Sequence, residues 1–250
     1  MVGIQIASME TDRIHYSITL PCYNEALNIP NLFERFRQVL CNRCDIEVIF
    51  VDNGSTDHSH EILERECSRE ENRFAKAVKV DVNQGYGFGI LSGLNVARGE
   101  WLGWTHADFQ TDPQDIIRAI ETIEAQNKPV TLLLKGKRIE RNPLDTFFTV
   151  GMSLISTLVL SSKLSDVNAQ PKFFHRSFFD KIVNDAPLDF SLDLYLLYKA
   201  NQLELKTVEL PVSFEKRIHG EAKGGGTLRG KLKLIKRTCI YILELRKNLA

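Results

Sequence analysis

Residues Ile46 to Val51 form a nearly unbroken apolar, β-branched run that stops at Asp52-Asn-Gly-Ser-Thr-Asp57. Such a run is a strand covered on both faces, the environment of a parallel sheet. The segment after it is a turn that doubles as a helix start. The same unit recurs along the chain. Tyr16 to Leu20 reads as a short strand ended by Pro21, with Cys22 to Glu25 as its loop. Ile29, Leu32, Phe33, Phe36, Val39 and Leu40 then fall at helical spacing, as far as about Cys41. A helix from about His58 to Glu71, a strand over Phe74 to Val82, a glycine-rich turn from Asn83 to Gly89 and a helix to Ala97 follow. Trp101 to Trp104 is the next buried strand. Asp112 suits the cap of the helix after it, Pro113 its first turn, and Asp115 its positive end, and this helix ends near Gln126. Val130 to Leu134 is a further strand.

Strand and helix alternate from residue 16 to 136, which predicts an α/β fold: a mainly parallel sheet with helices on both faces. Ligands of such sheets sit outside the carboxyl ends of the strands. The loops holding Asn24 and Glu25, Asp52, Asn83 to Gly85, and His106 to Asp108 are therefore expected to converge on one crevice. Beyond residue 140 the alternation fails. Leu144 to Ser162 reads as a helix, Asp166 to Phe174 as a strand, Phe190 to Asn201 as a helix, and Leu205 to Phe214 as a strand broken by Pro211. Gly224 to Gly226 is a flexible joint before a last helix, Leu228 to Leu249. That helix carries an apolar stripe (Leu228, Leu232, Ile235, Cys239, Ile242, Leu249) flanked by Arg229, Lys231, Lys233, Lys236 and Arg237. The stripe suits a bilayer interface, the domain's own core or a second copy equally. The expected organisation is a domain over residues 1–226, in two halves at about 14–136 and about 137–226. The basic amphipathic helix, 227–250, completes it.

Lys plus Arg and Asp plus Glu both number 32, so no global charge draws the chain to nucleic acid. Between Glu215 and Lys247, ten Lys or Arg stand against three Glu, which makes the C-terminal stretch locally basic. Five scattered cysteines do not make a secreted disulfide framework, and Cys41-Asn-Arg-Cys44 has no second pair to complete a zinc site. The N-terminus lacks the basic-then-apolar pattern of a signal peptide, and no run reaches the eighteen or so apolar residues of a membrane span. The expectation is a cytoplasmic protein, peripheral on the inner face of the plasma membrane.

The loop after Trp104 puts an imidazole, His106, beside a carboxylate, Asp108, with Gln110 near. On extended backbone, side chains two apart share a face, and this pair can then bind a divalent cation. Asp52 can accept from the N–H edge of a nucleobase or cap the helix after it. Gly85, Gly87 and Gly89 permit close backbone approach, but Ile90 stands where the dinucleotide fingerprint counted from Gly85 requires glycine.

The order of the loops carries more than any one of them. Pro21-Cys-Tyr-Asn-Glu25, Val51-Asp-Asn-Gly-Ser-Thr-Asp57, Asn83-Gln-Gly85 and His106-Ala-Asp108 closely resemble the family 2 glycosyltransferases, which have the GT-A fold. Within them the chain looks most like the dolichyl- or polyprenyl-phosphate sugar transferases. The likeness runs on through Gly136-Lys-Arg138, the 166–174 segment and the stretch from Pro211 to Lys223. The resemblance implies that Pro21, Tyr23, Glu25, Asp52, Asn83 and Gly85 hold a donor nucleoside. It places His106, Asp108 and Gln110 on Mg²⁺ or Mn²⁺ at the donor diphosphate, and Arg138, Arg217 and Lys223 near that diphosphate or an acceptor phosphate.

The implied activity is inverting transfer of a sugar from a UDP- or GDP-sugar to a polyprenyl phosphate or lipid-linked glycan at the cytoplasmic membrane surface, within cell-envelope glycan synthesis. An anionic membrane surface and a second copy of the chain are further expected partners. A leaving diphosphate is stabilised by a metal and cations. A hydroxyl acceptor needs a carboxylate base, for which Asp193 is the candidate; an ionised phosphate acceptor needs none. His106 replaces the first acid of the family's Asp-x-Asp motif, and Ala222 stands where the phosphate-sugar transferases carry Ser. The first departure leaves a second reading open: an inactive nucleotide-sugar-binding or regulatory protein on the same fold.

Overall fold

Why the strands and helices lie where they do is clearest at the first unit of the sheet. β1 (Tyr16–Cys22) runs two residues past the expected stop, with Pro21 inside it. The Thr19 carbonyl accepts from Thr105 beyond the end of β4 (Trp101–Trp104), so odd-numbered residues of β1 face β4. Pro21 therefore faces the space past the last rung of that pairing, and no ladder bond needs its missing N–H. α1 (Ile29–Val39) buries Ile29, Leu32, Phe33 and Phe36, the expected stripe. Phe33 stacks on Phe50 of β2 (Ile46–Asn53) with ring centroids 4.5 Å apart, and truncating such a side chain to alanine costs about 3–5 kcal/mol.

A computed structural model describes residues 13–214 except 42, 140–156, 158, 161 and 163, and also residues 236, 238, 240–243 and 245–246. After β2 come α2 (Ser59–Cys67), a short 3₁₀ turn (Glu70–Asn72), β3 (Ala75–Val80), α3 (Tyr86–Asn95), β4, α4 (Gln114–Ala125) and β5 (Leu132–Ile139). β6 (Lys172–His175), α5 (Arg176–Ile182), α6 (Leu192–Gln202) and β7 (Lys206–Ser213) complete the described elements. The strands form a 7-stranded sheet in the order β3-β2-β1-β4-β6-β5-β7. β6 is antiparallel to both its neighbours, and the other pairings are parallel.

The sheet separates two cores. Ile18, Leu20, Val48 and Phe50 pack with α1 and α4 on one face, while Leu102, Trp104, Leu133 and Phe174 pack with α3, α5 and α6 on the other. Strand order reverses beside β1, where β2 and β4 flank it, and the crevice of an α/β sheet opens at such a point.

Four expectations change. β5 runs on to Ile139, so Gly136 to Arg138 lies within a strand rather than beyond one. β7 is unbroken: it is an edge strand, and Pro211 sits in register with Lys137 without interrupting it. The 166–174 strand shortens to Lys172–His175. The sequence reading missed α5, capped by His175 accepting from the Ser177 N–H and burying Phe178, Phe179 and Ile182. The helix expected over residues 144–162 falls largely outside the described residues. Of the C-terminal stripe, Ile242 is described; it is buried in the second core with Tyr241 and Leu245 packed beside it. Among the described residues no helix is long and apolar enough to cross a membrane.

Candidate active site

The loops after β1 and β2 clasp one another. Asn24, held at φ 56°, donates its backbone N–H to Ser55 Oγ (3.0 Å) and accepts from the Thr56 N–H (2.8 Å). The Glu25 N–H donates to Ser59 Oγ at 2.8 Å, and the Glu25 carboxylate accepts from Asn28 at 2.6 Å. Pro21 is within β1, and Tyr23 follows its last residue, Cys22. Asp52, at the end of β2, is 2% exposed. One of its oxygens accepts from the Ser55 N–H at 3.0 Å, which closes the turn after β2 and does not cap α2, whose N-cap is His58; the other lies 3.3 Å from His60 Nδ1. His60 also lies 3.3 Å from Glu64, so an imidazole the sequence reading overlooked stands between two carboxylates.

The third loop is tied to the second. Gly54 is at φ 70°, and a Cβ on it would meet the Asn83 backbone nitrogen at 2.3 Å. Asn83 accepts from the Gly85 N–H (2.9 Å), and the Asn53 amide donates to the Gly85 carbonyl (2.9 Å). The backbone that the glycines at the start of α3 admit belongs to the chain itself. Gly85, at φ 121°, lies against the Leu188 carbonyl, which accepts from the Phe88 N–H at 2.9 Å.

In the fourth loop His106 and Asp108 do not share an extended strand, because β4 stops at Trp104 and Phe109 turns at φ 59°. Asp108 is 3% exposed rather than solvated, and it accepts from the Gln110 N–H at 3.1 Å. His106 lies between two rings, with Tyr86 at 6.0 Å and Phe214 edge-on at 6.2 Å. Tyr86 stacks on Phe190 at 4.8 Å. The turn after this loop behaves as expected, with Asp112 accepting from the Gln114 N–H at 2.9 Å.

Behind Tyr86 is a polar cluster sealed from solvent. Asp193, in the first turn of α6, is 2% exposed; it pairs with Lys172 of β6 and accepts from the Gln170 amide at 3.0 Å. Gln170 also reaches the Tyr86 hydroxyl at 3.3 Å. Burial, then the Asp193 carboxylate, pushes the Tyr86 phenol well above its ordinary range, so it stays protonated. Burial lowers the Lys172 ammonium, and Asp193 opposes that shift. Asp193 thus does not face solvent. Asp189 closes the turn before α6, accepting from the N–H of Ser191, the helix's N-cap, at 2.9 Å.

Arg138, near the end of β5, shares the Phe214 ring with His106. Its backbone N–H and guanidinium both engage Asp166, and the guanidinium lies 5.5 Å above the Phe214 ring. Arg217 and Lys223 lie outside the described residues. Tyr86, Gln170, Lys172 and Phe190 were not singled out from sequence. The positions of Gln170 and Lys172 within the 166–174 segment were the pointer to these two.

Among the described residues no three His, Cys, Asp or Glu side chains gather as a metal cluster. A divalent ion bridging a diphosphate makes a smaller demand, since one or two protein ligands suffice when phosphate and water supply the rest. The Asp108 carboxylate, the His106 imidazole and the Gln110 amide are the donors of this loop that could answer that demand. Oxygen donors suit Mg²⁺ or Mn²⁺, and a nitrogen donor in the set favours Mn²⁺.

The model of glycosyl transferase family 2 matches residues 17–182. The chain belongs to that family. The match spans all four loops and the buried cluster as far as Lys172. Among the relatives of this family 2 chain, the undecaprenyl-phosphate 4-deoxy-4-formamido-L-arabinose transferase of Proteus mirabilis is 27% identical over 213 residues, 83% of this chain and 62% of that protein. The enzyme of the same description from Aeromonas hydrophila subsp. hydrophila is 29% identical over 223 residues, 86% of this chain and 64% of that protein. The chain thus spans a little over three fifths of each of these relatives.

Solved structures share the fold. Glucosyl-3-phosphoglycerate synthase from Mycobacterium tuberculosis, in complex with Mn²⁺, UDP and glucosyl-3-phosphoglycerate, superposes with a TM-score of 0.68 at 16% identity. That likeness covers 93% of this chain and 80% of the other. A mannosyltransferase from Pyrobaculum calidifontis with GDP-mannose and Mn²⁺ gives 0.63 at 17% identity, over 90% of this chain and 65% of the other. The fold of this family 2 member is therefore GT-A.

Proposed function

We propose that the protein transfers a sugar, with inversion, from a UDP- or GDP-sugar to a polyprenyl phosphate or lipid-linked glycan at a membrane surface. The observation that carries this reading is the convergence of the clasped loops of Asn24, Glu25, Asp52 and Asn83 with Asp108 at one end of the sheet. The family and the names of the relatives point to the same class of chemistry.

In this reading the first three loops bind the nucleoside, with Asp52 meeting the base edge beside His60. Asp108, His106 and Gln110 would hold Mg²⁺ or Mn²⁺, which supplies positive charge against the leaving diphosphate. Tyr86, kept protonated, offers a hydroxyl beside Asp193, and its ring with Phe190 walls the crevice from water. Arg138, oriented by Asp166, lends a fixed positive charge to the same end. A carboxylate engaged by a buried ammonium is a poor base, so the Lys172–Asp193 pair favours an acceptor that is already ionised. A phosphate meets that condition.

A thermal-shift screen of UDP, GDP, TDP and CMP sugars, with and without Mn²⁺, followed by transfer to undecaprenyl phosphate, tests the proposal. Stabilisation by one nucleotide sugar with turnover is expected. Binding with neither transfer nor donor hydrolysis would instead establish the inactive binding protein, and no stabilisation by any of them would overturn both readings.

A further inference from the structure

A cleft of about 460 Å³ opens between β5, β7 and α6, and none of its lining residues belongs to the candidate active site. Its two walls differ in kind. Leu164, Leu197 and Leu205 make one apolar; Lys135, Lys137 and Glu209 make the other charged. Lys135 is 2% exposed, with its ammonium 3.2 Å from one Glu209 oxygen. Lys137 lies 2.8 Å from the other oxygen, and the Ser165 hydroxyl also donates to Glu209 at 2.8 Å. One carboxylate therefore answers two ammonium groups. The neighbouring Arg138 pairs with Asp166, so among the described residues three cations at or beside the cleft face two carboxylates.

A lysine in so buried a place is costly, and an apolar side chain there would be at least as stable. Burial lowers the Lys135 ammonium, with Glu209 opposing. An uncompensated cation facing an apolar wall is complementary to a molecule with an anionic head and an apolar chain. A carboxylate head would only duplicate Glu209, whereas a phosphate carries more charge and enough oxygens to engage both lysines at once.

We propose that this cleft binds a phosphate-headed amphiphile, with its chain along Leu164, Leu197 and Leu205 and its phosphate at Lys137 and Lys135. Ser165, at the rim, is followed by Asp166, the partner of Arg138, so the cleft and the basic wall of the candidate active site share one turn. The inference stands without the transfer reading, since it concerns binding alone.

Geranylgeranyl phosphate, titrated by calorimetry with neither donor nor metal present, is the probe. It should bind one to one. Geranylgeraniol and inorganic phosphate should each bind at least about tenfold more weakly, because each lacks half of the recognised molecule. Lys137→Gln, on a largely exposed side chain, and Leu205→Asp should each weaken geranylgeranyl phosphate about tenfold, measured at a temperature where circular dichroism shows each variant folded. Lys135→Met should do the same if it folds, and the other two variants decide the matter if it does not. Equal affinity in Lys137→Gln and Leu205→Asp overturns the site. Inorganic phosphate binding as tightly as the amphiphile overturns the apolar half, and geranylgeraniol doing so overturns the charged half. Competition between geranylgeranyl phosphate and dihexanoyl phosphatidic acid identifies the source, as prenyl lipid or membrane phospholipid, and displacement by either supports the shared chemistry. If these variants bind normally while the wild type transfers sugar to undecaprenyl phosphate, the cleft proposal fails and the function proposal survives.

Discussion

Lys172 and Asp193 meet as an ion pair that solvent does not reach: the lysine is 0% and the aspartate 2% exposed, and the Gln170 amide donates to the same carboxylate oxygen. Removing one partner of such a pair strands the other charge. Asp193→Ala should therefore cost about 3–5 kcal/mol in urea unfolding, and Lys172→Met with Asp193→Leu together should recover most of it. Transfer to a phosphate acceptor should persist in the folded double variant. Its loss with intact melting would assign Asp193 the role of base instead.

Asp108→Asn is isosteric and keeps the backbone bond to Gln110, so the melting temperature should hold while transfer falls to near background. His106→Asp should retain activity and extend it to more acidic pH. A carboxylate stays ionised where an imidazole, with an ordinary pKa of about 6.5, protonates and repels a cation. Rate profiles between pH 5 and 8 check the pair, and full activity of Asp108→Asn in chelator would remove the metal assignment.

Asp52→Ala removes both the turn-closing bond to Ser55 and the proposed base contact. Nucleotide affinity should drop by about 1.5–3 kcal/mol, the range for a hydrogen bond to a charged group. Calorimetry with the nucleotide chosen by the screen separates the roles, because unchanged affinity with a lower melting temperature leaves Asp52 as a turn-closing residue alone.

Glu209 gives the fold an acid-sensitive element. Burial opposes its ionisation, yet Lys137, Ser165 and Lys135 hold its carboxyl down at about 2, against an ordinary 4.5. The folded value lies below the unfolded one, so the stabilisation is present above about pH 4.5 and is lost as pH falls toward 2. In Glu209→Gln that share is missing at every pH. The gap in melting temperature between wild type and variant should narrow from pH 5 to pH 2; a constant gap would mean that the two lysines do not hold this carboxylate in solution.

What was legible in sequence had a local cause. Ile46 to Val51 showed a doubly covered strand, and the alternation through residue 136 gave the parallel block β3-β2-β1-β4. The positions of Asp52, Asn83 and His106 to Asp108 after strands placed them at one end. The rest depended on pairing between distant segments. Nothing near Lys172 says that β6 will run against its neighbours, or that Asp193 will come to meet it. Pro21 and Pro211 read as breakers because their rule concerns which edge of the strand faces a neighbour, and one segment does not reveal that. The short α5 and the extension of β5 through Gly136 escaped for the same reason.

The antiparallel insertion of β6 also governs how the chain must be made. β4 has β1 on one side from the moment it forms, but its other edge waits for β6. Roughly seventy residues separate the two, so at about 5–20 residues per second a ribosome leaves that edge open for some 4–14 s. The edge is Trp101-Leu-Gly-Trp104, with neither charge nor proline to blunt it. The strand that carries the His106–Asp108 loop is thus the one a stalled or truncated chain would offer to its neighbours.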